Sequence, residues 1–306
     1  MEIHFAPLQG YTDSVFRKLH AEIFGGIDKY YTPFIRVERG DFRKKDMREL
    51  PDETECNTIP QIIASTKPED IEKMISMLEE KGYKEVNINM GCPFPMIAKH
   101  GMGSGLLADK EAVKAMIKVL EAHPSMHFSL KTRLGYDDEN QIFDLIDIIN
   151  DFPFTEVTMH PRIAKDQYSG EINHAKFAEF AKVCKHPLIY NGDVTTTDDI
   201  NKISTVYPTL KGIMIGRGLL MNPALASEFK NGEIMSDKEK RDKCKQLIKM
   251  LFAHCEELMN GEEQSVAHVK AYFEYLLPDI EKRNRKKVLK ANKAEKLRTA
   301  IAEFFL

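Results

Sequence analysis

Val86-Asn87-Ile88-Asn89-Met90-Gly91-Cys92-Pro93 opens as a short apolar run with β-branched residues, the pattern of a buried strand. Gly91 and Pro93 break that run, so Asn89 and Cys92 fall where a strand gives way to a loop. Seven more runs of this kind occur, at residues 3–6, 28–32, 58–63, 127–132, 156–160, 187–191 and 212–215. Between and after them lie helical patterns over 13–24, 68–81, 110–121, 140–150, 174–184, 197–206 and 222–229, with a poorly defined piece near 42–50. Thr66-Lys67-Pro68-Glu69 and Thr197-Asp198-Asp199 place capping side chains ahead of acidic first turns. Eight strand-then-helix units in the first 230 residues predict an α/β fold, a (β/α)8 TIM barrel, more readily than an open doubly wound sheet. The second unit is the least defined.

After Lys230-Asn231-Gly232 the pattern is helical only. Residues 237–259 carry Leu247, Met250, Leu251 and Leu258 at helix-compatible spacing, and Asn260-Gly261 supplies a stop. Two more helices are expected over 264–277, ended by Pro278, and over 286–305. Two domains follow, a barrel over 1–232 and a small all-helical domain over 233–306.

The 306 residues are 42% hydrophobic and 30% charged, which supplies a core and argues against disorder. No apolar run approaches the roughly 18 residues of a membrane span. Residues 1–5 lack the basic and apolar regions of a signal peptide, so a cytoplasmic protein without membrane contact is expected. The 5 cysteines are scattered and never spaced Cys-x-x-Cys, so neither disulfides nor a zinc site is expected. The expected state is a monomer. The net charge of −3 is uneven: residues 236–306 carry 16 Lys and Arg against 12 Asp and Glu. Most of that excess sits in 281–298, a candidate for binding a polyanion or a solvated helix face.

In such a barrel the active site lies at the carboxyl ends of the strands. Those ends carry Ala6-Pro7-Leu8-Gln9-Gly10, Gln61, Asn89 and Cys92, Lys131 and Arg133, His160 and Arg162, Asn191-Gly192-Asp193, and Gly216-Arg217-Gly218. The set is polar and basic, and it lacks a His/Asp/Glu cluster with metal-ligand spacing, so no metal is expected. Gly192 and Gly216 follow strands seven and eight, where backbone N–H groups commonly hold a phosphate, and Arg217 adds charge. Glycine also serves ordinary βα turns. Gln61, Lys131 and His160 can reach the centre of the mouth, and a cationic Lys131 suits the negative charge of a reduced flavin. A lone cysteine is commonly a small buried hydrophobe. The place of Cys92 between Gly91 and Pro93, near basic residues, favours a reactive role as nucleophile or general acid.

Phe5-Ala6-Pro7-Leu8-Gln9-Gly10-Tyr11-Thr12-Asp13, continuing to Phe16-Arg17, resembles the opening motif of the tRNA-dihydrouridine synthases. Asn89-Met90-Gly91-Cys92-Pro93, followed by Lys99 and Gly103-Ser104-Gly105-Leu106-Leu107, resembles their catalytic-cysteine motif. Lys131-Thr132-Arg133-Leu134-Gly135, Asn191-Gly192-Asp193 and Ile215-Gly216-Arg217-Gly218 follow in the same order and spacing. The resemblance implies FMN at the barrel mouth, NADPH as its reductant, and reduction of the 5,6 double bond of particular uridines in tRNA. It implies that Ala6, Pro7, Gln61, Lys131 and His160 contact the flavin, and that Asn191, Gly192, Asp193, Gly216 and Arg217 form its ribityl and phosphate site. Cys92 becomes the general acid that protonates uracil C5 while hydride reaches C6. Asn89, Arg133 and Lys99 fall to the substrate side, and the tail resembles a tRNA-binding domain in which Lys286, Lys287 and Lys290 meet phosphates. One departure is His160-Pro161-Arg162 where His-Gly-Arg is usual, since proline removes flexibility and an N–H from the expected loop. Two other readings are a small-molecule FMN barrel similar to dihydroorotate dehydrogenases, which needs no basic tail, and a noncatalytic RNA-binding protein, which would be colourless.

Overall fold

The computed structural model describes residues 1–306 apart from Glu53 and Asn260. Eight parallel strands appear where the alternation places them. They are β1 (Glu2–Phe5), β2 (Tyr30–Tyr31), β3 (Thr58–Ile59 and Gln61–Ile63), β4 (Glu85–Met90), β5 (His127–Gly135), β6 (Val157–Ile163), β7 (Leu188–Tyr190) and β8 (Gly212–Ile215). Gln61–Ile63 through β8 form one continuous sheet that ends by pairing β8 with β1. β2 closes the ring, pairing Tyr30 with Thr58 and Tyr31 with Ile59, while parallel bridges join His4 to Lys29 and Ile35 to Ile62. Pro60 has no N–H to donate, which accounts for the break in β3. The expected barrel is therefore present.

Among the described residues the poorly defined second unit contains no long helix. A hairpin of Val37–Glu38 and Asp41–Phe42 turns at Arg39 (φ 54°) and Gly40 (φ 81°), and a four-residue helix, Lys44–Met47, follows. Two consecutive positive φ values suit the tight right-handed twist of a two-residue hairpin loop. The helix expected over 140–150 is two pieces, Gln141–Asp144 and Ile146–Asp151, and the one after β8 is Arg217–Met221 and Leu225–Asn231. Thr196, not Thr197, caps Thr197–Val206 in a reciprocal arrangement with Asp199, and Lys67 precedes Pro68–Glu80 without a capping side chain.

Inside the barrel the strand period of two sends polar side chains inward. On β4, Asn87 and Asn89 face the interior while Val86, Ile88 and Met90 meet the surrounding helices. Four interior polar side chains form a hydrogen-bonded chain: Asn87 Nδ2 donates to Ser129 Oγ (2.9 Å), Gln61 Nε2 to Asn87 Oδ1 (2.7 Å), and Asn89 Nδ2 to Gln61 Oε1 (2.8 Å). The amino ends of the strands are sealed by Glu156. This fully buried carboxylate accepts from Tyr31 Oη (2.8 Å), Lys211 Nζ (2.6 Å) and Lys29 Nζ (3.3 Å). Burial alone raises its pKa, but His4, Lys211, Lys29 and Tyr31 outweigh that and hold it below the usual carboxylate range.

Pro161 lies within β6, not in a loop. Arg133 pairs with His160 but Gly135 pairs with Ile163, so β6 carries one extra residue there. That bulge absorbs the missing N–H of Pro161, whose carbonyl accepts from Asn173 N (2.9 Å).

The tail packs as helices against the first βα unit. Asp237–Leu258 buries Cys244, Leu247, Ile248, Leu251, Phe252 and Cys255, one face at helical spacing. Met250 and Leu258, expected on that face, are exposed. Tyr272, at the end of Glu262–Tyr272, stacks on Phe16 at 5.1 Å and donates its hydroxyl to the Tyr11 carbonyl. Asn260, expected as part of a stop, lies outside the described residues, and Gly261 (φ 110°) instead precedes the next helix. The helix expected over 286–305 is two, Lys282–Lys290 and Ala294–Phe304, because Glu262 Oε1 accepts from the Ala294 N–H (2.7 Å) and starts the second afresh.

Candidate active site

A cavity of about 590 Å³ opens at the carboxyl ends of the strands, within the range of small-molecule and cofactor sites. It gathers Ala6, Pro7, Gln61, Asn89, Cys92, Lys131, Arg133, His160, Asn191, Gly192, Asp193, Gly216 and Arg217 into one wall. Four sequence-predicted residues stand apart. Lys99 is exposed just beyond the short Pro95–Ala98 helix, and Lys286, Lys287 and Lys290 lie on the exposed face of Lys282–Lys290.

Asn89 is almost wholly engaged within the protein. Its Oδ1 accepts from the N–H groups of Gly91 (3.1 Å) and Cys92 (2.9 Å), while one of its two amide hydrogens goes to Gln61. A second clamp holds the Cys92 carbonyl, which accepts from Ser104 Oγ at 2.7 Å. A Cβ on Gly103 would stand 2.9 Å from that of Cys92, so glycine at φ 57° allows the two segments to meet. The thiol is thereby held in place. Burial pushes the Cys92 thiol up from its ordinary value, against opposing effects of the Phe94 backbone N–H, Arg133 and Lys131. It is protonated at neutral pH and suited to donating a proton rather than attacking as a thiolate.

The cations around it are poorly neutralised. Lys131 has no ion-pair or hydrogen-bond partner among the described residues, and burial, then the nearby Arg133 charge, push its ammonium down to about 7. Arg133 is buried, donating to the carbonyls of Gly91 (3.0 Å) and Ile163 (3.1 Å) and, among the described residues, to no carboxylate; burial pushes it down to about 10, still cationic at neutral pH. On the opposite side of β6, Asp193 binds both Arg162 (3.1 and 2.5 Å) and Arg217 (2.7 Å). His160 is held neutral by burial and by Arg133, Lys131, Arg162 and Arg217. Its Nε2 lies 3.2 Å from Arg162 Nη1, so the neutral ring accepts there and carries its proton on Nδ1. Asn191 spends its amide on the Met214 carbonyl (2.8 Å), tying β7 to β8.

Several lining residues escape a reading of strand ends. Tyr168, from the loop after β6, has the guanidinium groups of Arg133 (5.4 Å) and Arg217 (5.1 Å) over its ring. Arg36 and Arg43 come from the hairpin after β2, Phe94 from the segment after Cys92, and Tyr275 from the tail. Arg36 Nε is buried without a partner among the described residues. No periodicity marks these positions, because long loops and the tail bring them in. The group Glu2, His4 and Glu156, whose ligand atoms lie within 4.8 Å of one another, sits at the other end of the barrel, where Lys29 and Lys211 already engage Glu156.

Fold and site together define a (β/α)8 enzyme with a protonated thiol and under-neutralised cations at the strand ends. The barrel is shared with the solved morphinone reductase, which superposes with a TM-score of 0.52 over 78% of this chain and 87% of that one at 10% identity. The chain belongs to the dihydrouridine synthase family, a family of oxidoreductases: the family model "Dihydrouridine synthase (Dus)" matches residues 4–304. A probable tRNA-dihydrouridine synthase of Helicobacter pylori is 30% identical over 75% of this chain and 70% of its own length. The probable tRNA-dihydrouridine synthase 2 of Bacillus subtilis is 30% identical over 71% and 69%. The tRNA-dihydrouridine(16) synthase of Neisseria meningitidis is 25% identical over 99% of this chain and 94% of its own.

Proposed function

We propose that the protein reduces the 5,6 double bond of uridines in tRNA, with FMN in the barrel cavity and NADPH as electron source. The observation that carries this reading is the grouping of a protonated Cys92 with Lys131 and Arg133, basic groups without carboxylate partners among the described residues, in one cavity. The donor set fits FMN. Lys131 can meet the acceptor edge of the ring, the neutral His160 offers Nδ1–H, and the backbone at Gly192 and Gly216 with Arg217 suits a phosphate. Bound there, FMN supplies the hydride that reaches uracil C6.

The chain's own residues manage the proton. Cys92 delivers it to C5, so C6 gains the hydride and C5 the proton, and the product is 5,6-dihydrouridine. The thiolate left behind is favoured by Lys131 and Arg133 and regains a proton from solvent. Asn89 aims the cysteine loop and keeps one amide hydrogen for the uracil. Residues 1–232 act as the catalytic barrel and 233–306 as the tRNA-docking part, in a cytoplasmic monomer. Among the described residues Lys286 and Lys290 have no ion-pair partner, whereas Lys287 pairs with Glu303. Among the described residues no helix is long and apolar enough to cross a membrane. The test is to incubate the purified protein with NADPH and unmodified tRNA and to map dihydrouridine. Formation at a defined position supports the reading, and none at any position contradicts it.

A further inference from the structure

The segment leaving Cys92 ends in an apolar surface that the chemistry above does not use. Phe94 lines the cavity yet is 57% exposed, and Met96 beside it is 70% exposed. Leaving a phenyl ring and a thioether in water forgoes burial that most such side chains achieve. The segment is also stiff. Pro93 and Pro95 bracket Phe94, and each proline fixes its own φ and restricts the residue before it to extended backbone, where Phe94 sits (φ −62°, ψ 122°). The Phe94 carbonyl accepts from Ile97 N (2.8 Å) and Ala98 N (2.9 Å), and the Cys92 end is clamped by Asn89 and Ser104. Its conformational entropy is already lost before any partner arrives. Around this lip lie Lys45, which lines the same cavity, and the exposed Lys99, neither with an ion-pair partner among the described residues, together with Arg36 and Arg43, which pair with Glu38 (3.1 Å) and Asp46 (2.6 Å).

A rigid aromatic edge among cations suits single-stranded nucleic acid, whose bases stack on rings while its phosphates meet the charges. A uridine that leaves the tRNA stack to enter the cavity deprives its neighbour of a stacking partner at just this mouth. We propose that Phe94, supported by Met96, is a positioning residue on which the base flanking the target uridine stacks. The inference rests on the proposed tRNA activity and adds a contact in the barrel, separate from the basic tail.

The test compares the wild-type protein with Phe94→Ala, Phe94→Leu, Phe94→Trp and Met96→Ala, measuring tRNA binding, steady-state kinetics on tRNA, and NADPH-dependent flavin reduction without tRNA. Loss of one base–aromatic stack predicts weaker tRNA binding and a higher KM in Phe94→Ala by about 5- to 150-fold. Phe94→Leu behaves like Phe94→Ala, Phe94→Trp restores the wild-type values, and kcat and flavin reduction stay unchanged. Phe94→Ala with wild-type affinity and KM, or Phe94→Leu as effective as Phe94→Trp, overturns the inference, as does a wild-type dimer that Phe94→Ala dissociates. If uridine is reduced and Phe94→Ala binds normally, the lip is wrong and the activity stands. If Phe94→Ala loses tRNA affinity but wild type forms no dihydrouridine, the lip stands and the proposed activity falls.

Discussion

Replacing Lys131 with methionine removes a buried cavity ammonium that has no partner among the described residues, and the structure sets the size of the effect. The ordinary lysine pKa is 10.5; in the protein burial, then Arg133, push it down to about 7. An anion or strong acceptor seated beside Lys131 favours its charged form, so ligand binding raises that value and takes up a proton. The sign follows from linkage: affinity is greatest below the free-protein value and falls as pH rises through it. If the bound pKa recovers fully to its ordinary value, affinity falls by about 50-fold between pH 7 and 9. The assay is calorimetric titration of the cofactor-free protein with FMN at pH 7, 8 and 9, in buffers of different ionisation enthalpy to count protons. Wild type should lose affinity toward that limit with proton uptake at pH 8. Lys131→Met should bind more weakly at pH 7 and vary far less with pH. Parallel profiles for the two proteins would refute the assignment of Lys131 to the cofactor.

Asn89→Ala orphans the N–H groups of Gly91 and Cys92 and the Gln61 carbonyl oxygen, at about 1–3 kcal/mol each if water does not replace the side chain. Thermal denaturation should therefore show a loss of stability, and single-turnover uridine reduction should slow as the thiol loses its aim. Replacing Lys286 and Lys290 with glutamine should weaken tRNA binding and lower the slope of log affinity against log salt by about 1 per lysine, measured by salt titration. Lys287→Gln should do less, because Glu303 already neutralises that charge. Glu156→Gln strips the carboxylate from Lys29, Lys211 and Tyr31 and should destabilise the barrel by about 3 kcal/mol in denaturant unfolding. Because the folded carboxyl lies below its unfolded value, that contribution is present above about pH 4.3 and disappears as pH falls through the folded value.

The strands were legible because burial imposes a period on them. Val86, Ile88 and Met90 turn outward and Asn87 and Asn89 inward, a pattern that survives in the chain of letters. The carboxyl-end residues followed from the strand positions alone. Tertiary contacts account for what was not legible. The break between Lys282–Lys290 and Ala294–Phe304 depends on the carboxylate of Glu262, 32 positions earlier, so no local signal announces it. The exposed positions of Met250 and Leu258 show the same limit, since both fit helical spacing without lying on the face that packs. Pro161 read as a loop residue because proline is rare in strands, and the bulge that accepts it is a property of the β5–β6 pair. Tyr168 and Tyr275 reach the cavity from a loop and from the tail, and only the closed fold brings them to the cavity that Cys92 lines.

The central claim is that Cys92 gives the proton. The direct measurement is single-turnover reduction of uridine in tRNA by prereduced wild-type and Cys92→Ala protein, with binding of FMN and tRNA followed in parallel. Loss of a general acid predicts a rate lower by about 10²–10⁴ in Cys92→Ala with both affinities retained. An unchanged rate would remove Cys92 from the chemistry and leave it a clamped residue of the β4 loop.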